Sequence, residues 1–293
     1  MSQIKHHLRR VGGAVVTTLA TLLVFLCLVM PDQITRLPPG NFWLTALVHS
    51  DATHIWMRGH SVTRLMQEAT FTDTIALLHL GRLPSAGERR LLDAILIGVA
   101  DHGAGSPSCA AARLAASGNR QSLSAAVAAG VLTIGDEHGG AGSNCMELIA
   151  TSLAAAARDG LTPQQAAARA VAEAVQSRQR LPGLGHRVHT TDPRVAVLFE
   201  MARIEQVAGD GIQFMTAVEL EVAARLKPIP MNIDGALAAV MHDMGFAPAA
   251  GRFLFIVGRV AGITAEVAEE HQRERPMRIK FDVEYDGAPP EPE

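Results

Sequence analysis

Residues 181–194, LPGLGHRVHTTDPR, are the stretch of this sequence on which the predicted fold and site depend. Gly183 and Gly185 allow the backbone to bend sharply and to approach a ligand closely. His186 follows them, and an imidazole can donate or accept a proton near neutral pH. Arg194 lies at the start of the next predicted helix, where a guanidinium can bind a carboxylate with two hydrogen bonds. Taken alone, this spacing favours a glycine-rich turn with a surface histidine over a site.

Two other short loops carry one ionisable side chain each. The first is residues 135–142, GDEHGGAG, in which His138 precedes a predicted helix. The positive end of a helix favours a neutral imidazole, which can donate a hydrogen bond to a carbonyl that gains charge during enolisation. The second is residues 230–235, PMNIDG, in which Asp234 is either a helix N-cap or a base that removes a proton next to a thioester. Together the three loops predict one active site for carbon–carbon chemistry.

Composition excludes several other classes. The chain has 293 residues with 4% aromatics, and its apolar content is mostly Ala, Leu and Val, which favours an all-α fold. A net charge of -3 without a basic stripe argues against a nucleic-acid partner. The cysteines, Cys27, Cys109 and Cys145, are odd in number and far apart, which indicates a reducing compartment. We find no P-loop, dinucleotide fingerprint or metal-spaced His/Cys cluster, so no metal is expected.

The N-terminal part has a separate character. Residues 11–30 carry no charge, are long enough to span a bilayer and follow Lys5, Arg9 and Arg10. The absence of a small-residue cleavage site favours an uncleaved anchor over a signal peptide, although that topology would send the rest of the chain outside. A buried helix or a dispensable extension are the alternatives. Because the cysteines indicate a reducing compartment, we expect a cytoplasmic protein, with membrane anchoring as the alternative. Residues 37–40, LPPG, are expected to form a linker.

Local signals predict where several elements begin. Residues 85–88, SAGE, form a capping box ahead of a helix. Threonine and aspartate before proline at residues 162–163 and 192–193 predict two more helix starts. A further helix is expected over residues 147–158, and a small strand or hairpin near residues 53–57.

The ordered set GDEHGGAG, PGLGHRVHTTDPR and PMNIDGAL resembles the citrate synthase superfamily, and most of all its short, citryl-CoA lyase-like branch. The resemblance begins near Trp43 and continues to the C-terminus. It implies an all-α, two-domain homodimer with active sites shared between the subunits. The large domain would comprise residues 41–140 and 247–293, the small domain residues 141–246, and residues 1–40 would be an extension.

The resemblance also implies roles for the ionisable residues. Asp234 would be the base toward the methyl group of acetyl-CoA, and His138 would hydrogen-bond the thioester carbonyl. His186 would be the acid at the ketone carbon of oxaloacetate. The residues that would bind the dicarboxylate are His102, Arg194, Arg259 and, from the partner subunit, Arg275. The CoA adenine would contact the backbone of Leu181, Pro182, Gly183 and Leu184.

The sequence departs from the family pattern at four positions. Gly142 replaces a common asparagine, Gly103 a glutamate, Val99 a frequent histidine and Ile263 an aromatic residue. These changes leave the enolisation residues in place but bear on site closure and on thioester hydrolysis. Citrate synthase-type activity is favoured because the three catalytic positions are filled. Citryl-CoA cleavage is the alternative, and a non-catalytic, membrane-tethered helical binding protein is the alternative from another class.

Overall fold

Helices make up most of this computed structural model, which describes residues 43–185 and 191–288. The described residues form eleven helices and three short strands, so the predicted mostly helical class is confirmed. His186 and the apolar residues 11–30 lie outside the described residues. The strands are β1 (Val48–Ser50), β2 (Ile55–Met57) and β3 (His60–Ser61), and the helices are α1 (Val62–Glu68), α2 (Phe71–Leu80), α3 (Ala86–Ala100), α4 (Pro107–Gly118), α5 (Leu123–Leu132), α6 (Ala141–Asp159), α7 (Pro163–Ser177), α8 (Pro193–Ile204), α9 (Asp210–Arg225), α10 (Ile233–Asp243) and α11 (Ala250–Arg273).

The strands form one antiparallel sheet in the order β1-β2-β3. Trp56 pairs with His49 on one side and with Ser61 on the other. The expected hairpin near residues 53–57 is therefore confirmed, and β2 is its central strand.

The predicted helix starts are also confirmed. Ser85 and Glu88 form the reciprocal capping box at the start of α3. Thr162 forms a second capping box with Gln165 at the start of α7. Asp192 caps α8 by accepting the backbone N–H two residues further on. Each cap satisfies N–H groups that have no partner within the helix itself.

Helix α10 lies in the interior of the fold. Residues 235–241 are all buried, and the helix packs against α6, α8 and α9. A helix that is apolar on every face is stable only when neighbouring elements cover all of those faces. The first turn of α10 carries Asp234, so this carboxylate is held on one of the most enclosed elements of the chain.

Helix α11 runs against α3, α4 and α5. A Cβ atom at Gly258 would lie 2.6 Å from Val99 Cγ2, and one at Gly262 would collide with the carbonyl oxygen of Ala100. Glycine at these two positions lets α11 and α3 touch backbone to backbone. This close crossing brings Arg259, which lies between the two glycines, beneath the C-terminal end of α3.

Met1–Leu47 and Val48–Glu293 are separate units of the chain. Within the second unit, helices α6 to α10 pack among themselves, and α3, α4 and α5 pack with α11. Its division into a large and a small domain stays a prediction. Over the described ranges, none of the helices combines the length and the apolar character that crossing a bilayer requires.

Candidate active site

Two of the three motif loops lie side by side. The N–H of Gly185 donates to the carbonyl of Pro230 at 2.7 Å, and the N–H of Asn232 donates to the carbonyl of Gly183 at 3.0 Å. Gly183 has a φ of +82°, which strongly favours glycine, and a Cβ there would lie 2.7 Å from Cα of Gly235. The glycines of this loop therefore permit direct contact with the start of α10.

Asn232 fixes the loop that carries Asp234. Its side-chain oxygen accepts the N–H of Gly235 at 3.2 Å, and its amide nitrogen donates to the carbonyl of Gly185 at 2.7 Å. Asn232 is thus the N-cap of α10. The capping role that was one interpretation of Asp234 belongs instead to Asn232.

Burial makes Asp234 a base of higher pKa than an ordinary aspartate, although the neighbouring arginines oppose this effect. Burial raises the pKa of Asp234; the positive charge of Arg194 opposes this rise, the negative charge of Asp192 adds to it, and Arg259 opposes it. A carboxylate whose pKa is raised binds a proton more readily than a solvated aspartate and is better matched to proton abstraction near neutral pH.

Arg194 lies in the first turn of α8, as predicted, and forms an ion pair with Asp192. Its Nε and Nη2 donate to the two carboxylate oxygens at 2.9 and 2.8 Å, and its Nη1 donates to the carbonyl of Gly98 at 2.9 Å. Asp192 is only 2% exposed. Burial opposes ionisation of Asp192, but the hydrogen bonds and charge of Arg194 outweigh it, and the pKa of Asp192 is lowered.

Arg259 is the second cation of this region and is 3% exposed. Its Nε donates to the carbonyl of Val99 at 2.8 Å, and its Nη1 donates to Oγ of Ser108 at 3.1 Å. Its Cζ lies 4.7 Å from the centre of the Phe255 ring, within the range of a cation–π interaction. These contacts fix the guanidinium in one orientation.

His138 is joined to Arg259 through Ser108. Nε2 of His138 lies 2.9 Å from Oγ of Ser108 and accepts the backbone N–H of Ser108 at 3.3 Å. A ring nitrogen that accepts an N–H carries no proton itself, so in this contact the proton of a neutral His138 ring would lie on Nδ1. The edge of this ring also contacts Phe255, with ring centres 5.8 Å apart.

The helix end that meets His138 is not the one expected from the sequence. Ser108 is the second residue of α4, so Nε2 faces the N-terminus of α4, while α6 is the helix that follows His138 in the chain. Ser108 was not identified from the sequence. Its signal was the serine–proline pair at residues 106–107, which is typical of a helix start with unpaired N–H groups.

Of three other predicted site residues, two are exposed and one lies outside the described ranges. His102 is exposed, in the loop between α3 and α4. Arg275 is also exposed and lies in the tail after α11. Nη2 of Arg120 donates to the carbonyl of Glu274 at 2.6 Å and so holds the start of this tail. His186 lies outside the described residues. The described structure therefore brings together His138, Arg194, Asp234 and Arg259 but does not test the role of any of them.

Within the part of the chain that the structure describes, Asp101, Cys109 and Glu266 place possible metal-ligand atoms within 4.8 Å of one another. Arg113 already pairs with Glu266. Burial raises the pKa of the Cys109 thiol, which disfavours the thiolate that a metal requires. We therefore assign this group to the packing between α4 and α11.

Comparison with known proteins identifies the family of the chain. Residues 84–280 match the family described as Citrate synthase, C-terminal domain. Because this match covers more than half of the chain, the chain belongs to the citrate synthase family.

The relatives differ in the share of their own length that this chain covers. The structure of citryl-CoA lyase from Hydrogenobacter thermophilus is 35% identical, with a TM-score of 0.79 over 86% of this chain and 97% of that one. The 2-methylcitrate synthase of Shewanella oneidensis is 30% identical over 73% of this chain and 54% of its own length. The citrate synthase of Deinococcus radiodurans is 26% identical over 78% and 59%, respectively. The chain thus spans little more than half the length of these two synthases.

Proposed function

We propose that this chain makes or breaks the carbon–carbon bond between acetyl-CoA and oxaloacetate, with citryl-CoA as the condensed species. The observation that carries the proposal is the position of Asp234. Its carboxylate is partly buried at the start of α10, has a raised pKa and lies in the field of two arginines. A base of this kind next to fixed cations suits enolisation of a thioester followed by addition to a 2-oxo acid.

Three residues would move or stabilise the charge. Asp234 takes a proton from the methyl group of acetyl-CoA, and His138 as a neutral imidazole donates a hydrogen bond to the thioester carbonyl. His186 gives a proton to the ketone oxygen of oxaloacetate as the new bond forms at the carbon. In the direction of cleavage the same groups act in reverse, because both directions share one transition state.

Arg194 and Arg259 would bind the carboxylates of the substrate, with His102 contributing and Arg275 arriving from the partner subunit. A guanidinium has five N–H donors. Arg194 uses three of its five side-chain donors on Asp192 and Gly98, which leaves two on the terminal nitrogens for a substrate. The pair with Asp192 therefore does not exclude substrate binding by Arg194.

A groove of about 520 Å³ supports CoA binding beside the 181–185 loop. Leu181, Leu184 and Ile229 line it, and so do the exposed residues Arg178 and Arg180. Apolar walls with two exposed arginines suit a nucleotide base that is linked to phosphates. We therefore place the adenosine end of CoA here, against the backbone of Leu181, Pro182, Gly183 and Leu184.

Cleavage of citryl-CoA is the second candidate, and the 35% identity to the citryl-CoA lyase structure supports it. An assay with two substrates separates the directions. Thiol release from acetyl-CoA and oxaloacetate indicates synthesis with thioester hydrolysis, and oxaloacetate formation from citryl-CoA without thiol release indicates cleavage. Turnover of neither substrate would contradict the proposed function.

We also propose a cytoplasmic homodimer, with membrane association through residues 11–30 as the alternative location. The two described cysteines, Cys109 and Cys145, are free thiols, in keeping with a reducing compartment. Helix α5 contains no charged residue, yet Leu123 and Leu132 are 58% and 84% exposed in the single chain. A second copy would cover this apolar face.

Mixed dimers test the sharing of sites. Arg275→Ala and His186→Ala subunits should each be nearly inactive alone. After mixing and reassociation, about half of the dimers pair one of each, and each such dimer has one intact site, which predicts about a quarter of the wild-type activity. Arg273→Ala provides the control, because Arg273 pairs with Glu269 on its own helix and should stay active alone. No recovery in the mixture would argue against a shared site.

A further inference from the structure

We propose that Asp192 is a positioning residue that links the guanidinium of Arg194 to the first turn of α10. One buried carboxylate would thus fix the position of a substrate-binding arginine relative to the base Asp234. This inference rests on the proposed function of the same site. It concerns a residue that touches neither substrate nor reacting atoms and acts through its two neighbours.

The geometry of the Asp192 carboxylate carries the proposal. Oδ1 accepts the backbone N–H of Arg194 at 3.1 Å and its Nε at 2.9 Å. Oδ2 accepts Nη2 of Arg194 at 2.8 Å and the backbone N–H of Ile233 at 3.1 Å. Four hydrogen bonds fill the acceptor capacity of one carboxylate. Asp192 therefore ties α8 to the residue directly before Asp234.

This arrangement orients Arg194 as well as neutralising it. Two parallel hydrogen bonds along the Nε–Nη2 edge fix the plane of a guanidinium, which a single contact would not do. The carbonyl of Gly98 holds Nη1 from the other side. Since Asp192 is 2% exposed, water cannot readily replace it as the partner of Arg194.

Asp192 also balances the charges that face Asp234. From α8 these charges are Arg194 and Asp192, and from α11 the guanidinium of Arg259. The thiol of Cys145 on α6 also faces Asp234, and burial raises its pKa and keeps it neutral. Arg194 lowers the pKa of Asp234, whereas Asp192 raises it. Without the negative charge of Asp192, the field of Arg194 is uncompensated and the pKa of Asp234 falls.

Asp192→Asn is the test, because asparagine keeps the volume and removes the charge. We expect kcat/KM for the dicarboxylate to fall by about 10²-fold, as for a misplaced substrate-binding group. We also expect the acidic limb of the kcat profile to move to lower pH, since Asp234 becomes a stronger acid. A merely structural role would not move that limb.

Asp243→Asn is the matched control. Asp243 ends α10 and accepts the N–H groups of Gly209, Gly211 and Ile212, so it too is a helix-joining carboxylate but far from Asp234. Its variant should keep the wild-type pH profile of kcat. If Asp192→Asn behaves in the same way, or if its effect is undiminished when Arg194→Gln is already present, the positioning role is overturned.

The failure of the proposed function would be visible separately. If the wild-type protein turns over neither substrate pair, the proposed function fails whatever Asp192 does. The pH dependence of unfolding then still tests the inference without any turnover. The protein with Asp234 and its Asp234→Asn variant should differ in free energy of unfolding above a certain pH. That pH should be lower when Asp192→Asn is also present, and an unchanged pH would overturn the inference.

Discussion

Asp234→Asn is expected to lower kcat by about 10²–10⁴-fold, the range that a positioned general base contributes. The amide keeps the shape of the carboxylate but cannot accept the methyl proton of acetyl-CoA. The measurement is thiol release from acetyl-CoA and oxaloacetate, or oxaloacetate formation from citryl-CoA. KM should change little, because the arginines that bind the dicarboxylate are untouched.

The same substitution should increase stability at neutral pH. Burial raises the pKa of Asp234 in the folded state above its value in the unfolded chain. The folded state therefore binds the proton more tightly, and the contribution of Asp234 to stability is fully present below the unfolded pKa and is lost as pH rises through the folded pKa. Urea unfolding of both proteins should show this as an excess stability of Asp234→Asn at pH 7 that disappears in acid.

Lower stability together with full activity in Asp234→Asn would contradict the assignment of Asp234 as the base. A protein with Asp234→Asn that is less stable at pH 7 but fully active would show that this carboxylate is structural. Asp243→Asn is the control on the same helix, because Asp243 accepts three backbone N–H groups away from the site and its variant should keep full activity.

Local chemistry explains which parts of the fold could be predicted from the sequence. The capping boxes at Ser85 and Thr162 and the cap at Asp192 depend on residues within three positions of one another, so they are visible in the chain itself. The conjunction of the 181–185 and 230–235 loops was expected from the order of the motifs, and the hydrogen bonds between them confirm it.

Contacts between distant positions could not be predicted in this way. Nη1 of Arg194 reaches a carbonyl 96 positions away at Gly98, and Nη1 of Arg259 reaches Ser108, 151 positions away. No periodicity or capping signal encodes such partners. The roles of Ser108 and Asp192 in joining the site residues are for this reason visible only in the fold.

Tertiary packing also moved one helix boundary. The glycine-rich residues before Glu147 predicted a loop, and the helix was expected to begin there, but α6 begins at Ala141. Ser143 in its first turn accepts the backbone N–H of Arg252 at 2.7 Å and so binds α6 to the start of α11. A contact of this kind offsets the low helix propensity of glycine.

Glu270→Ala is expected to lower the free energy of unfolding by about 3–5 kcal/mol, the cost of breaking a buried ion pair by removing one partner. Glu270 is fully buried and accepts from Nε of Arg113 at 3.1 Å and from Nη2 of Arg278 at 2.5 Å. The loss should fall toward the lower end, because Arg113 keeps Glu266 and Arg278 keeps Glu274 as partners. Urea unfolding followed by circular dichroism measures it.

Glu270→Ala should also loosen the tail after α11. Arg278 anchors this tail to Glu270, and the backbone N–H of Met277 donates to the carbonyl of Ser117 at 3.0 Å. Arg275 lies in the same short segment, so loosening its anchor should raise KM for the dicarboxylate in the folded fraction of Glu270→Ala.

Glu269→Ala separates burial from charge alone, since Glu269 is on the same turn but its side chain is 43% exposed. It pairs with Arg273 and, at 3.8 Å, with Arg113. Exposed pairs contribute about 0–1 kcal/mol and are screened at high salt, whereas a buried carboxylate between two arginines is screened far less. The effect of Glu270→Ala should therefore persist in 1 M salt, at which the Debye length is about 3 Å. Equal and small losses for the two variants would show that Glu270 is not the anchor of the tail.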